Sequence, residues 1–118
     1  MPLRASDKVF FIVNGPPPMT EPTADLAWTL LLGAIRRVRE GLSLATSGNW
    51  AGYDAGLLLG HRLIGGTLLV VGAGRIGSAV ARRSLGWDMK VLYTARSSKP
   101  HLESDPIGAT RNSLEEGL

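Results

Sequence analysis

The chain has 118 residues, 44% of them hydrophobic and 19% charged, with a formal net charge of +3. That is room for one small domain of ordinary composition, burying roughly two-thirds of its unfolded surface when compact. The absence of cysteine excludes disulfides, thiolate metal sites and a cysteine nucleophile, and fits a reducing, cytoplasmic setting.

The basic residues are scattered and not interleaved with aromatics, which leaves a nucleic-acid partner unsupported. No apolar run reaches the ~18 residues of a membrane helix, and the apolar stretch 9–13 lacks the flanks of a signal peptide.

In chain order, residues 1–8 show no periodicity and predict a loose terminus. Val9-Phe10-Phe11-Ile12-Val13 is a strand by composition. Asn14-Gly15 and Pro16-Pro17-Pro18 stop it, since neither a helix nor a sheet interior accepts that run. The prolines read as a stiff connector, with a polyproline ligand as the alternative. Thr20 has the character of a helix N-cap, with Glu21 and Pro22 in the first turn. Leu26, Ala27, Leu30, Leu31, Ile35 and Val38 then recur at helical spacing and predict one packing face. Arg36, Arg37, Arg39 and Glu40 mark the other side. The helix is expected to run past Gly41 to about Thr46 and end at Ser47-Gly48.

Residues 49–66 hold Trp50, Tyr53, five glycines and Leu57-Leu58-Leu59 without a period. Such a segment needs something to lie against, often a second subunit. His61, one of two histidines, has no second ligand nearby and reads as a surface or interface residue.

The most informative stretch follows. Leu68-Leu69-Val70-Val71 reads as a buried parallel strand, and Gly72-Ala73-Gly74-Arg75-Ile76-Gly77 as a G-x-G-x-x-G turn. Residues 75–85 read as a helix. A second strand covers 90–93 after a break at Gly86-Trp87-Asp88. In a dinucleotide site each glycine has a physical task. Gly72 permits the tight turn, Gly74 lets bare backbone approach a pyrophosphate, and Gly77 lets the helix pack closely on the strand. The unpaired N–H groups opening the helix, at Arg75 and Ile76, face the anion. A glycine-rich turn without a ligand is the alternative; the strand–turn–helix–strand context favours the dinucleotide.

An NAD-type site places an acid about 18–20 residues beyond the turn, where it bonds the ribose 2′-hydroxyl. About 18 residues beyond Gly77 stands Ala95, followed by Arg96-Ser97-Ser98-Lys99. Two cations and two hydroxyls suit a 2′-phosphate. Arg96, Ser97 and Lys99 are therefore candidates for binding NADP in preference to NAD, with a solvated basic loop as the alternative. Residues 97–106 read as a polar loop in which His101 has no partner. Residues 107–111 read as a short third strand, and Ser113-Leu114-Glu115-Glu116 as a capping box opening another helix. On this reading the sequence breaks off at Leu118 inside a repeating β-α-β pattern.

Four segments taken in order carry a family resemblance: Thr20-Glu21-Pro22-Thr23-Ala24-Asp25-Leu26-Ala27-Trp28, Ser47-Gly48-Asn49-Trp50, residues 71–83, and Val91-Leu92-Tyr93-Thr94-Ala95-Arg96-Ser97. They resemble the D-isomer-specific 2-hydroxyacid dehydrogenases, most of all the glyoxylate/hydroxypyruvate reductase branch, over residues 8–118. The resemblance implies an α/β fold: part of a Rossmann-type, doubly wound parallel sheet that binds NAD(P), with a long N-terminal helix. Residues 1–19 would be a leading strand and proline-rich hinge remnant. Residues 20–118 would be a truncated coenzyme domain: helix and dimer arm 20–66, dinucleotide-binding unit 67–97, and the start of the next unit at 107–118. Family members embrace as dimers through the region matching 26–63. Pro16-Pro17-Pro18 departs from the usual hinge, and the upstream substrate lobe is missing.

The family's reaction is hydride transfer between a nicotinamide and C2 of a 2-oxo or 2-hydroxy acid. It uses a histidine acid/base oriented by a carboxylate, and an arginine for the substrate carboxylate. Neither His61 nor His101 matches that histidine motif, and no arginine here matches the substrate arginine, so no catalytic residue is assigned and no metal ligand either. The chain alone is expected not to reduce a 2-oxo acid. The expected function is the NAD(P)-binding part of such a dehydrogenase. The alternative is a non-catalytic interaction or dimerisation module, its long helix and arm pairing with an intact relative and its nucleotide site a relic.

Overall fold

The computed structural model describes residues 9–11 and 17–117. The expected loose terminus 1–8, the end of the first strand at 12–13, the Asn14-Gly15-Pro16 stop and Leu118 lie outside the described residues. Val9–Phe11 (β1), Thr67–Val71 (β2), Lys90–Thr94 (β3) and Thr110–Arg111 (β4) form a sheet in the order β1-β2-β3-β4, with every neighbouring pair parallel. The register sets Leu68 beside Val91 and Val70 beside Tyr93 on one face, and Leu69 beside Leu92 on the other.

Five helices accompany the sheet among the described residues: Thr20–Ile35 (α1), Val38–Thr46 (α2), Arg75–Arg83 (α3), Pro100–Glu103 (α4) and Leu114–Gly117 (α5). The first face shares one core with α1 and α3. The second meets α5, whose Gly117 lies against the Leu69 side chain. Both faces of the sheet are thus covered, which is why β2 and β3 are apolar at successive positions instead of alternating.

Helix α1 docks on α3 through Ala24, Ala27, Trp28, Leu31 and Ile35, all buried. The Trp28 indole N–H donates to the Val80 carbonyl at 2.9 Å, and its ring stacks on Trp87 with centroids 6.3 Å apart. At the rim, Arg83 reaches Glu21 at 2.7 Å and Asp25 at 2.7 Å, and Arg82 reaches Glu21 at 3.2 Å. The Glu21 hydrogen bond is the main reason the Arg83 guanidinium is held above its ordinary value. Such exposed pairs contribute about 0–1 kcal/mol each, so they orient α1 more than they stabilise it.

The expected face of α1 is corrected by this packing. Ala27, Leu31 and Ile35 face inward, but Leu26, Leu30 and Val38 are 57%, 63% and 57% exposed. The helix is apolar almost all round, and the partners of Trp28 and Glu21 on α3 select which side is buried. Thr20 is likewise not the cap. Pro17–Met19 forms a 3-10 turn that leads straight into α1, Met19 takes the cap position and Thr20 is already helical.

Nor does the helix run unbroken to Thr46. Arg37 adopts left-handed geometry (φ 55°, ψ 39°) between α1 and α2. The break coincides with a crossing of the chain: the His61 N–H donates to the Ile35 carbonyl at 3.1 Å. Gly60 runs so close to that carbonyl that a Cβ would collide with it. Residues 49–66 form turns without helix or strand. Helix α3 is shorter than expected and passes into a 3-10 turn, Ser84–Trp87, closed by Asp88 at φ 47°. The third strand shrinks to Thr110–Arg111. The loop expected at 97–106 contains α4, started by Pro100 in its first turn.

Candidate functional site

The glycine turn sits at the carboxyl end of β2. Gly72 has φ +90°, a conformation that L side chains rarely adopt. The N–H groups of Gly72 and Ala73 donate to the Thr94 carbonyl at 3.1 and 3.0 Å, so the turn is tied to the end of β3. Gly74 N–H donates to the Gly72 carbonyl, and Ser78 N–H to the Gly74 carbonyl, each at 2.9 Å. The amides of Ile76 and Gly77, in the first turn of α3, have no intrahelical acceptor by position. They and the helix dipole are what this turn offers an anion. A Cβ built on Gly74 would meet nothing within 4 Å, so bare backbone faces open space there. Gly77 is the reverse: a Cβ would collide with the Gly72 carbonyl and press on Val70 at 3.0 Å.

Beyond β3 the chain folds over the same end of the sheet. Residues 71–74, 94–97, Lys99 and 111–114 line an open cleft of about 1020 Å³. It lies outside the carboxyl ends of β2, β3 and β4, where open parallel sheets bind their ligands. No carboxylate is among its lining residues. The Arg111 guanidinium donates to the Ala95 carbonyl at 2.9 and 3.1 Å and to the Arg96 carbonyl at 3.1 Å, bracing the loop. On the far wall Ser113 caps α5 as expected. Its hydroxyl accepts from the Glu116 N–H at 3.2 Å, and Glu116 accepts from the Ser113 N–H at 2.9 Å. That second bond is the main reason the Glu116 carboxyl sits below its usual range.

Of the residues expected at the site, Gly72, Gly74, Arg96, Ser97 and Lys99 line the cleft. Ile76 is buried in the core and Gly77 is sealed between helix and strand, so both can reach a ligand only through backbone N–H groups. Arg75 is exposed at the start of α3 and is not part of the cleft lining. His101, expected to be without a partner, has one: its Nε2 lies 3.0 Å from the Ser78 hydroxyl, joining α4 to α3. His61 serves through its backbone, as described. Sequence reasoning missed Thr94 and Arg111, whose roles depend on strands meeting across the sheet; no local pattern marks them.

A parallel sheet ending on a glycine turn and a helix N-terminus, with a cationic loop after the next strand, defines a Rossmann-type nucleotide-binding unit. A family model described as D-isomer specific 2-hydroxyacid dehydrogenase, NAD binding domain, matches residues 28–118, and the chain belongs to that family. It is 42% identical over 118 residues to a glyoxylate reductase of Thermococcus kodakarensis, covering 97% of this chain and 35% of that protein. A solved structure from Thermus thermophilus is 48% identical, with a TM-score of 0.78 over 87% of this chain and 31% of that one. A glyoxylate reductase structure from Paecilomyes thermophila is 36% identical, with a TM-score of 0.73 over 87% and 30%. The chain thus spans 27–35% of the length of glyoxylate reductases that it matches. These likenesses do not support the alternative of a free-standing interaction module. Among the described residues, no helix is long and apolar enough to cross a membrane, and no group of three or more His, Asp or Glu is placed to hold a metal ion.

Proposed function

We propose that this chain binds a nicotinamide dinucleotide in the cleft, taking NADP(H) in preference to NAD(H). In the complete protein it would serve hydride transfer between that cofactor and a 2-oxo or 2-hydroxy acid. The observation that carries the preference is the end of β3. Where an NAD-type site has a carboxylate for the ribose 2′-hydroxyl, the cleft has Arg96, Ser97 and Lys99. The bare backbone at Gly74 leaves room for the pyrophosphate, and the Ile76 and Gly77 amides face it. The bound dinucleotide supplies the hydride; the residues of this chain bind and orient it. In the same reading residues 20–118 belong to a truncated coenzyme domain and 1–19 to a leading strand and proline-rich hinge remnant, and the chain works in the cytoplasm.

The test is Arg96→Ala. One charge-assisted contact contributes roughly 1.5–3 kcal/mol, so NADP(H) affinity is expected to fall about tenfold or more, with NAD(H) affinity nearly unchanged. Titrating both cofactors into wild type and variant measures it. Equal losses for the two cofactors, or a wild-type preference for NAD(H), would refute the assignment.

The proposal includes self-association through residues 26–63. Leu26 and Leu30 on the outer side of α1 and Leu42 on α2 are exposed, as are Trp50 and Leu59, and Tyr53 is 94% exposed. Helix α2 and the following arm also enclose an apolar hollow of about 270 Å³. So much apolar surface outside the core favours a second copy of the chain. At micromolar concentration the native chain is expected to sediment as a dimer or larger species, and Trp50→Ser with Leu59→Ser to shift it toward monomer. A native monomer would count against this.

A further inference from the structure

The loop that carries Arg96, Ser97 and Lys99 is held from beneath by a side chain with no signature in the sequence. Tyr93, near the end of β3, is fully buried. Its hydroxyl nevertheless has two partners. It accepts the Lys99 backbone N–H at 2.8 Å and donates to one carboxylate oxygen of Glu103. The other Glu103 oxygen accepts the Ser98 hydroxyl at 2.8 Å. One phenol therefore gathers a backbone amide, a carboxylate and, through it, a serine. Glu103 is kept well ionised by these donors, Tyr93 first, which holds its carboxyl below the usual range. Among the described residues, Arg96 and Lys99 form no ion pair.

With Arg111 holding the carbonyls of Ala95 and Arg96, the loop is pinned at both ends, and the side chains of Arg96, Ser97 and Lys99 are left at the cleft. A basic loop that must be ordered by its ligand binds that ligand more weakly than one already in place. We propose that Tyr93 and Glu103 are positioning residues for cofactor choice, pre-ordering residues 95–99 so that their cations and hydroxyls meet a 2′-phosphate. The inference rests on the NADP(H) reading above.

Tyr93→Phe keeps the ring in the core and removes only the hydroxyl. With two hydrogen bonds lost, NADP(H) affinity is expected to fall about fivefold to tenfold while NAD(H) changes less than about twofold. Amide exchange at Lys99, measured without cofactor, is expected to lose protection. Glu103→Gln retains an acceptor for the phenol and should keep most of the preference; Glu103→Ala should behave like Tyr93→Phe. Unchanged preference in Tyr93→Phe, or equal loss of both cofactors, overturns the proposal. Failure of the underlying reading has a different signature. Wild type then shows no preference and Arg96→Ala changes nothing, which removes the role in cofactor choice, even if Lys99 protection still depends on the Tyr93 hydroxyl.

Discussion

Replacing Trp28 by alanine is expected to lower the unfolding free energy by about 3–5 kcal/mol. The side chain is 6% exposed, stacks on Trp87 and donates to a carbonyl of α3. Its loss opens a cavity between α1 and α3 that the sheet behind them cannot close. A small domain holds about 5–15 kcal/mol in total, so a large part of the variant population would be unfolded at moderate urea. Trp28→Phe keeps an aromatic face for Trp87 and drops only the hydrogen bond and some area; about 1–2 kcal/mol is expected. Urea unfolding followed by far-ultraviolet circular dichroism measures both. A loss below about 1 kcal/mol for the alanine variant would mean that α1 is not docked on α3 as described. The consequence reaches the site, because α3 presents its N-terminal amides from the element that Trp28 braces.

Gly77→Ala is the second large effect, and its sign runs against helix propensity. Ala in a helix interior is favoured over Gly by about 1 kcal/mol. At this position the new Cβ would collide with the Gly72 carbonyl, which is backbone and part of a turn already tied to Thr94. Either α3 lifts from β2 or the turn opens, and such overpacking costs about 1–3 kcal/mol or more. Both movements displace the amides that would face a pyrophosphate. The expected result is a net loss of stability of about 1–3 kcal/mol with dinucleotide affinity down at least about tenfold. Gly33→Ala is the control. A Cβ there meets nothing within 4 Å in α1, so the same change is expected to stabilise by about 0.5–1 kcal/mol. A Gly77→Ala protein as stable as wild type would overturn the account of the turn.

The local pattern at 67–94 was legible in the sequence because its constraints are local. A run of four apolar residues must be buried, a glycine must occupy φ +90°, and a Cβ-free residue must sit where helix and strand backbones touch. The capping box at Ser113 and Glu116 was equally readable, since its partners are three residues apart. The empty acid position at Ala95 could be counted. Other features needed the assembled molecule. Which side of α1 is buried depends on Trp28 finding Val80, and on Arg83 finding Glu21 and Asp25, pairs that only the docking of two helices brings together. The break at Arg37 coincides with the return of Gly60 and His61 to the end of α1, some 25 residues later in the chain. Tyr93 reads locally as one more large residue in a strand; α4, a single turn inside a polar stretch, sets Glu103 under its hydroxyl. Backbone conformation and burial by period are written along the chain, whereas the choice among several apolar faces, and of partners for buried polar atoms, is made only when distant segments pack.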